Sequence, residues 1–208
     1  MRRPPTDALI VVDVQADFLP GGALAVPQSD ALLAPINALI PAFSIVTLTQ
    51  DWHPPGHASF ASSHPGAKPF ETRQMSYGPQ VLWPDHCVQA SEGAALSPAL
   101  SAACAQLIVR KGFHPGVDSY SAFLEADHTT HTGLAGYLRE RGVTRVFVCG
   151  LATDYCVGAT AIDAREAGFE AVVVEDACRA IDQQGSLAAA WRAMAAAGVT
   201  RASTSSVI

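Results

Sequence analysis

Five short runs rich in apolar and β-branched residues, each followed by a stretch of helical composition, constrain this chain more than any other feature in it. The runs cover residues 8–14, 44–50, 106–110, 145–148 and 171–175. They show no apolar/polar alternation, so they suit parallel strands covered on both faces rather than strands with one face in water. Helical segments fall between them: 31 to about 40, started by Ser29 or Asp30 and stopped at Pro41; a short one from 97 to about 103; 133 to about 141; 159–167, closed by Gly168; and 185–197, ending at Gly198. Residues 201–204 read as a short last strand. Strands alternating with helices and joined by right-handed crossovers give a doubly wound α/β fold. The expectation is a mainly parallel sheet of about six strands, flanked by helices on both faces, in a single domain spanning 1–208.

In such sheets ligands bind outside the carboxyl ends of the strands. Three ionisable residues stand at strand ends here. Asp13 interrupts the first run, Lys111 follows the third, and Cys156 follows the fourth within Cys149-Gly150-Leu151-Ala152-Thr153-Asp154-Tyr155-Cys156-Val157. Each has an ordinary explanation: a loop-capping aspartate, a lysine reaching outward, a small apolar cysteine. Cys156, however, sits where a strand gives way to a helix. The free N–H groups and dipole of a helix start lower a thiol's pKa and favour the nucleophilic thiolate.

Between the second and third runs lies a long irregular stretch, about 52–95, rich in proline, glycine and serine. Loops of this length inside a compact domain are usually functional or disordered, and the tryptophan and apolar patch within this one oppose disorder. It begins at Asp51-Trp52-His53, whose first and third side chains share a side in extended chain. Near its end stands Trp83-Pro84-Asp85-His86-Cys87-Val88. Asp51, His53 and one further histidine would make a metal-binding set with open positions. His86, His57 and His64 all compete for the third place. No second cysteine pairs with Cys87 in Cys-x-x-Cys spacing, which disfavours a structural zinc site.

Composition narrows the function classes. Charged residues are 15% of the chain against about 25% in an average domain, while 49% is hydrophobic. Such a chain buries a sizeable core and has apolar surface left for a second copy, so a homo-oligomer is expected. The net charge of −6 and the lack of a basic cluster speak against nucleic acid and anionic membrane as partners. Five irregularly spaced cysteines and no signal-like start point to a reduced, cytoplasmic protein.

Taken together, the motifs resemble the isochorismatase-like cysteine hydrolases. Asp13 and Lys111 after apolar strands, with Gly150-Leu151-Ala152-Thr153-Asp154-Tyr155-Cys156-Val157, carry that resemblance. Asp13-Val14-Gln15-Ala16-Asp17-Phe18, Gly21-Gly22-Ala23-Leu24-Ala25-Val26, Asp51-Trp52-His53-Pro54, Trp83 through Val88, and Asp118-Ser119-Tyr120-Ser121-Ala122-Phe123 are similar to the nicotinamidase (pyrazinamidase) branch. The resemblance implies an amidohydrolase that converts nicotinamide, and pyrazinamide with it, to the acid and ammonia through a cysteine thioester. It implies Asp13, Lys111 and Cys156 as the triad, and the N–H groups of Ala152 and Cys156 as the oxyanion hole. It also implies a cis peptide between Leu151 and Ala152. Phe18, Trp83 and Tyr120 would line the ring pocket. Asp51, His53 and His86 would hold one divalent metal ion, zinc in the first place, with iron or manganese also suited to those donors. Other readings are a related hydrolase with a different aryl or carbamoyl amide as substrate, a metallohydrolase with a structural Cys156, and a non-catalytic binding protein on the same fold.

Overall fold

Residues 2–208 are described by a computed structural model. The strands, in chain order, are β1 (Asp7–Val12), β2 (Ile45–Asp51), β3 (Thr72–Met75), β4 (Gly78–Val81), β5 (Leu107–Lys111), β6 (Arg145–Leu151), β7 (Glu170–Arg179) and β8 (Thr200–Ala202). The helices are α1 (Leu33–Leu39), α2 (Leu134–Glu140), α3 (Gly158–Glu166), α4 (Ser186–Ala196) and α5 (Thr204–Val207). Six strands form one all-parallel sheet in the order β5-β2-β1-β6-β7-β8. The chain builds outward from β1 through β2 to β5, then returns to lay β6 on the other side of β1. The topological switch point therefore lies between β1 and β6.

β1 occupies the sheet's centre because nothing in it needs water. Ala8 through Val12 are buried, and Asp7, the polar exception, is answered by Arg3 at 2.7 Å and Arg145 at 3.0 Å. Burying a Leu9 or Ile10 side chain contributes about 1.5–3 kcal/mol relative to leaving it exposed. By the handedness of the crossovers α1 covers one face, where α5 packs beside it, and α2, α3 and α4 cover the other. No helix among the described residues is long and apolar enough to cross a membrane.

Several segments differ from the sequence expectation. The helix expected from 97 to about 103 is only a tight turn, Ala102–Cys104. Asn37 of α1 takes the Ser101 N–H and donates to the Ala99 carbonyl, which holds this backbone open instead of helical. The first helix is shorter than expected, with tight turns at Ser29–Leu32 and Ile40–Ala42 on either side of α1, and no side chain caps it. β7 runs four residues further than its apolar stretch. Beyond an irregularity at Val148/Gly150 it pairs again, Gly150 with Cys178 and Leu151 with Arg179, while exposed Glu175 and Asp176 interrupt the hydrophobic pattern. The last strand ends at Ala202, and Ser203 starts α5 through a reciprocal cap with Ser206. The long stretch after β2 is ordered and contains the antiparallel hairpin β3–β4.

Candidate active site

The three strand-end residues meet at the switch point. Asp13 follows β1 in a left-handed conformation, φ 49°, which costs a non-glycine residue about 1 kcal/mol or more. Its backbone N–H donates to Thr49 Oγ1 at 3.1 Å, and the Thr49 hydroxyl donates to Oδ1 at 2.5 Å. These bonds aim the carboxylate into the sheet's end. Oδ2 lies 2.9 Å from Lys111 Nζ, yet accepts no properly directed hydrogen bond. It is the oxygen left free to take a proton.

Lys111 is fully buried at the end of β5, two strands from β1, and its long side chain reaches past the end of β2. The outward-pointing lysine that a strand end usually implies is absent here. The ammonium donates to Asp51 Oδ1, to the Ser119 carbonyl at 2.9 Å and to Cys156 Sγ at 3.4 Å. Burial alone would lower its pKa, but Asp13, Asp51 and Cys156 outweigh that and hold it well above the ordinary lysine value. The lysine is therefore a fixed positive charge between two carboxylates and a thiol.

Cys156 lies in a wide π turn, Thr153–Val157, which leads from β6 into α3. Such turns recur at functional sites. Gly150 allows β6 to pass this close to β1, since a Cβ there would sit 2.1 Å from the Val12 carbonyl oxygen. The Leu151–Ala152 peptide is cis. Ala152 follows that bond and leads into the turn that carries Cys156. The sequence had suggested a thiol shifted toward thiolate. The structure corrects this: burial pushes the Cys156 thiol well above its ordinary pKa, Lys111 pulls it down, and Asp13 and Asp51 push it up again. Cys156 rests as a thiol and needs a base. Asp13 also sits above its usual range, through burial, against the pull of Lys111.

Asp51, His53 and His86 converge beside this triad, their donor atoms all within 4.8 Å of one another. The backbone sets both imidazoles. His53 Nδ1 lies 2.8 Å from the Gly112 carbonyl and His86 Nδ1 lies 2.8 Å from the Pro84 carbonyl. Carbonyls accept, so each Nδ1 carries a hydrogen and each Nε2 points away from the backbone. Both Nε2 atoms face Asp51 Oδ2, at 3.7 and 3.8 Å. Backbone carbonyls orienting the imidazoles are the support that metal-binding histidines use. Burial would raise Asp51, but Lys111 and the two imidazoles hold it well below the usual carboxylate range, so it stays an anionic ligand. The residues fit a divalent cation.

The competing candidates do not. His57 spends Nδ1 on Ser59 Oγ at 2.8 Å and Nε2 on the His114 and Val117 carbonyls at 2.9 and 3.2 Å. His64 Nε2 donates to the Ala58 carbonyl. Asp118, close to His53 and His57, accepts from Gln80 Nε2 at 2.6 Å and from the Ser119 N–H at 2.9 Å. Gly112 is exposed as a weak point of the metal site: its φ is +65°, and a Cβ would lie 2.5 Å from the His53 ring. Gly112→Ala should turn that imidazole and weaken metal binding by about 10- to 100-fold, the usual effect of disturbing a ligand's support. Metal content after dialysis against a weak chelator checks this, and a full retained equivalent would show that Gly112 does not set His53.

Above the donors and Cys156 opens a narrow cavity. Phe18, Trp83 and Tyr120 line it, joined by Leu24, Asp118, Ala152, Tyr155 and Ile181. Trp83 meets Tyr155 edge-on at 4.8 Å between centroids, and Phe18 tilts against His86 at 5.5 Å. The Tyr120 hydroxyl accepts from Trp83 Nε1 at 3.2 Å and from Gln80 Nε2 at 2.9 Å. The hairpin thus delivers Gln80, on β4, to brace an aromatic wall. Such a slot suits one flat ring. Tyr155 could have been found from its place beside Cys156. Leu24 and Ile181 carry no local signal. A wider groove beside β8 contains the Arg201–Glu175 pair with Trp191 under the guanidinium.

Comparison with known proteins agrees with this geometry. A family model described as the isochorismatase domain matches residues 7–206. The nicotinamidase of Acinetobacter baylyi is 56% identical over 208 residues, covering 100% of this chain and 97% of its own. The structure of PnC1 from L. infantum in complex with nicotinate superposes with a TM-score of 0.87 at 40% identity, over 100% of this chain and 98% of that one. The pyrazinamidase of Pyrococcus horikoshii in complex with zinc does so with a TM-score of 0.78 at 37% identity, over 96% and 99%.

Proposed function

Since this chain belongs to the isochorismatase family, we propose that it is an amidohydrolase converting nicotinamide, and pyrazinamide with it, to the ring carboxylic acid and ammonia. One observation carries the reading. A cysteine, a carboxylate with a free oxygen and a fixed ammonium stand at the floor of a flat aromatic slot whose wall holds three convergent metal donors.

In this reading Asp13 Oδ2 takes the Cys156 proton as Sγ attacks the amide carbon. The carbonyl oxygen gathers negative charge opposite the N–H groups of Ala152 and Cys156. Asp13 then gives the proton to the amide nitrogen, the C–N bond breaks and ammonia leaves. A thioester to Cys156 remains. Asp13 next takes a proton from water, whose oxygen attacks the thioester carbon. The acid departs, and the proton returns to Sγ. Lys111 touches both Asp13 and Cys156, and stabilises the thiolate while it exists. Asp51, His53 and His86 would hold a divalent ion, and zinc suits their nitrogen and carboxylate donors, as iron or manganese would. When bound, that ion supplies a Lewis acid for a ring nitrogen and so orients the ring. Phe18, Trp83 and Tyr120 clamp the ring, adding about 0.5–1.5 kcal/mol per well-placed aromatic pair beyond area burial.

The test is ammonia release from nicotinamide by metal-replete enzyme and by Cys156→Ala. Wild type should turn over, and the variant should lose about 10⁴-fold or more in kcat, as for removal of a covalent nucleophile. A variant that kept its rate would mean that a metal-activated water does the work and that Cys156 is structural.

A further inference from the structure

We propose that Asp154 is a positioning residue that latches the far wall of the ring pocket; the inference rests on the amidohydrolase reading of that pocket. Asp154 is two residues before the nucleophile and does not itself line the slot. It points instead to the connection between β7 and α4. Oδ1 accepts the Ile181 N–H at 3.0 Å, while Oδ2 accepts the Asp182 N–H at 2.8 Å and the Ser186 hydroxyl at 2.5 Å. One carboxylate therefore ties down both ends of residues 181–186.

That segment needs tying. Asp182 and Gln184 are both left-handed, at φ 52°, and Gly185 follows at 82°. Two non-glycine excursions of this kind within three residues cost about 1–3 kcal/mol each and persist only where neighbours hold them. Support from within comes from Asp182 Oδ1, which accepts the Leu187 N–H at 3.3 Å at the start of α4, and from the Gln183 carbonyl, which accepts the Ser186 N–H at 3.0 Å. Hydrogen bonds to a charged acceptor are the strong kind.

The segment carries Ile181, which lines the slot beside Tyr155 and Cys156. Asp154 thus sets the Ile181 wall of the ring pocket through that residue's backbone, from the turn that also carries Sγ. Ring and nucleophile are registered to one another through a single residue. Loss of the latch should loosen the ring's seat more than it slows the chemistry.

The experiment compares Asp154→Ala, Asp154→Asn and Ile181→Ala with wild type. The readouts are kcat and KM for nicotinamide, the rate of Cys156 alkylation, and amide exchange of residues 180–186. For Asp154→Ala, KM should rise about tenfold, with kcat and alkylation changing by less than about threefold, the signature of lost ring binding. Exchange at Ile181 and Asp182 should accelerate about tenfold or more. Asp154→Asn keeps one acceptor oxygen and should fall between. Ile181→Ala should reproduce the KM rise, and the double variant should be no worse than Asp154→Ala alone, because the two changes remove the same wall. A fall in kcat at unchanged KM, or unchanged exchange at 181–182, overturns the latch. If wild type leaves nicotinamide intact, the amidohydrolase reading falls instead, and the exchange data alone decide the latch.

Discussion

Asp13→Asn should lower kcat for nicotinamide by about 10⁴-fold, the upper end of what a positioned general base contributes, while leaving the fold and the cysteine's accessibility intact. The substitution is isosteric. The amide oxygen can still accept the Thr49 hydroxyl that now donates to Oδ1 at 2.5 Å, and the backbone N–H keeps its own bond to Thr49. What changes is Oδ2. It becomes an NH₂ group facing the Lys111 ammonium, and it can take no proton from Sγ. Lys111 keeps Asp51 and the Ser119 carbonyl, so the buried charge is not stranded. Removing one partner of a buried pair is severe only when the other is left uncompensated. A second measurement separates loss of the base from general damage. The Asp13 charge pushes the Cys156 thiol up, so removing it should bring the thiol's pKa down. Alkylation of Cys156 at neutral pH should then be as fast as in wild type or faster, even as turnover vanishes. A variant retaining kcat within tenfold of wild type would falsify the base assignment.

The second large effect concerns the ring. Benzamide has the shape and amide of nicotinamide but no ring nitrogen. If the donors Asp51, His53 and His86 serve to seat that nitrogen, kcat/KM for benzamide should fall by about 10⁴-fold, because a site built around a polar contact strongly rejects an analogue that lacks it. Pyrazinamide keeps a nitrogen at the same place and should stay within about tenfold of nicotinamide, since the same contact is made. The geometry motivates this division of labour. Asp51, His53 and His86 line the same cavity as Phe18 and Trp83, whereas the amide's reacting carbon must meet Sγ of Cys156, beside Ala152. The three substrates are measured on one metal-replete preparation. Benzamide turnover within a few-fold of nicotinamide would assign the cation some other role and broaden the enzyme to aryl amides in general.

Much of this was legible in the residues themselves, for a definite reason. A run such as Ala8–Val12 can be buried only in a covered parallel strand, and the chemistry of a doubly wound sheet collects at strand ends. Reading the polar residues that close those runs therefore found Asp13, Lys111 and Cys156, and the order of strands and helices gave the six-stranded sheet. Tertiary structure decided whatever depends on approach between distant segments. The choice of His86 over His57 turned on which imidazole had both nitrogens consumed by carbonyls and a hydroxyl, and no local pattern records that. Burial and the carboxylates of Asp13 and Asp51 push the Cys156 thiol up against the pull of Lys111, and none of these is visible in the residues beside it in the chain. Ile181 enters the pocket only because a carboxylate 27 positions earlier holds its N–H. The sequence by itself determined which residues have chemistry to offer and on which elements they stand, because backbone periodicity and residue type are local. Which of them share a proton, a cation or a wall is set by distances across the switch point, and those exist only once the sheet has closed around Lys111.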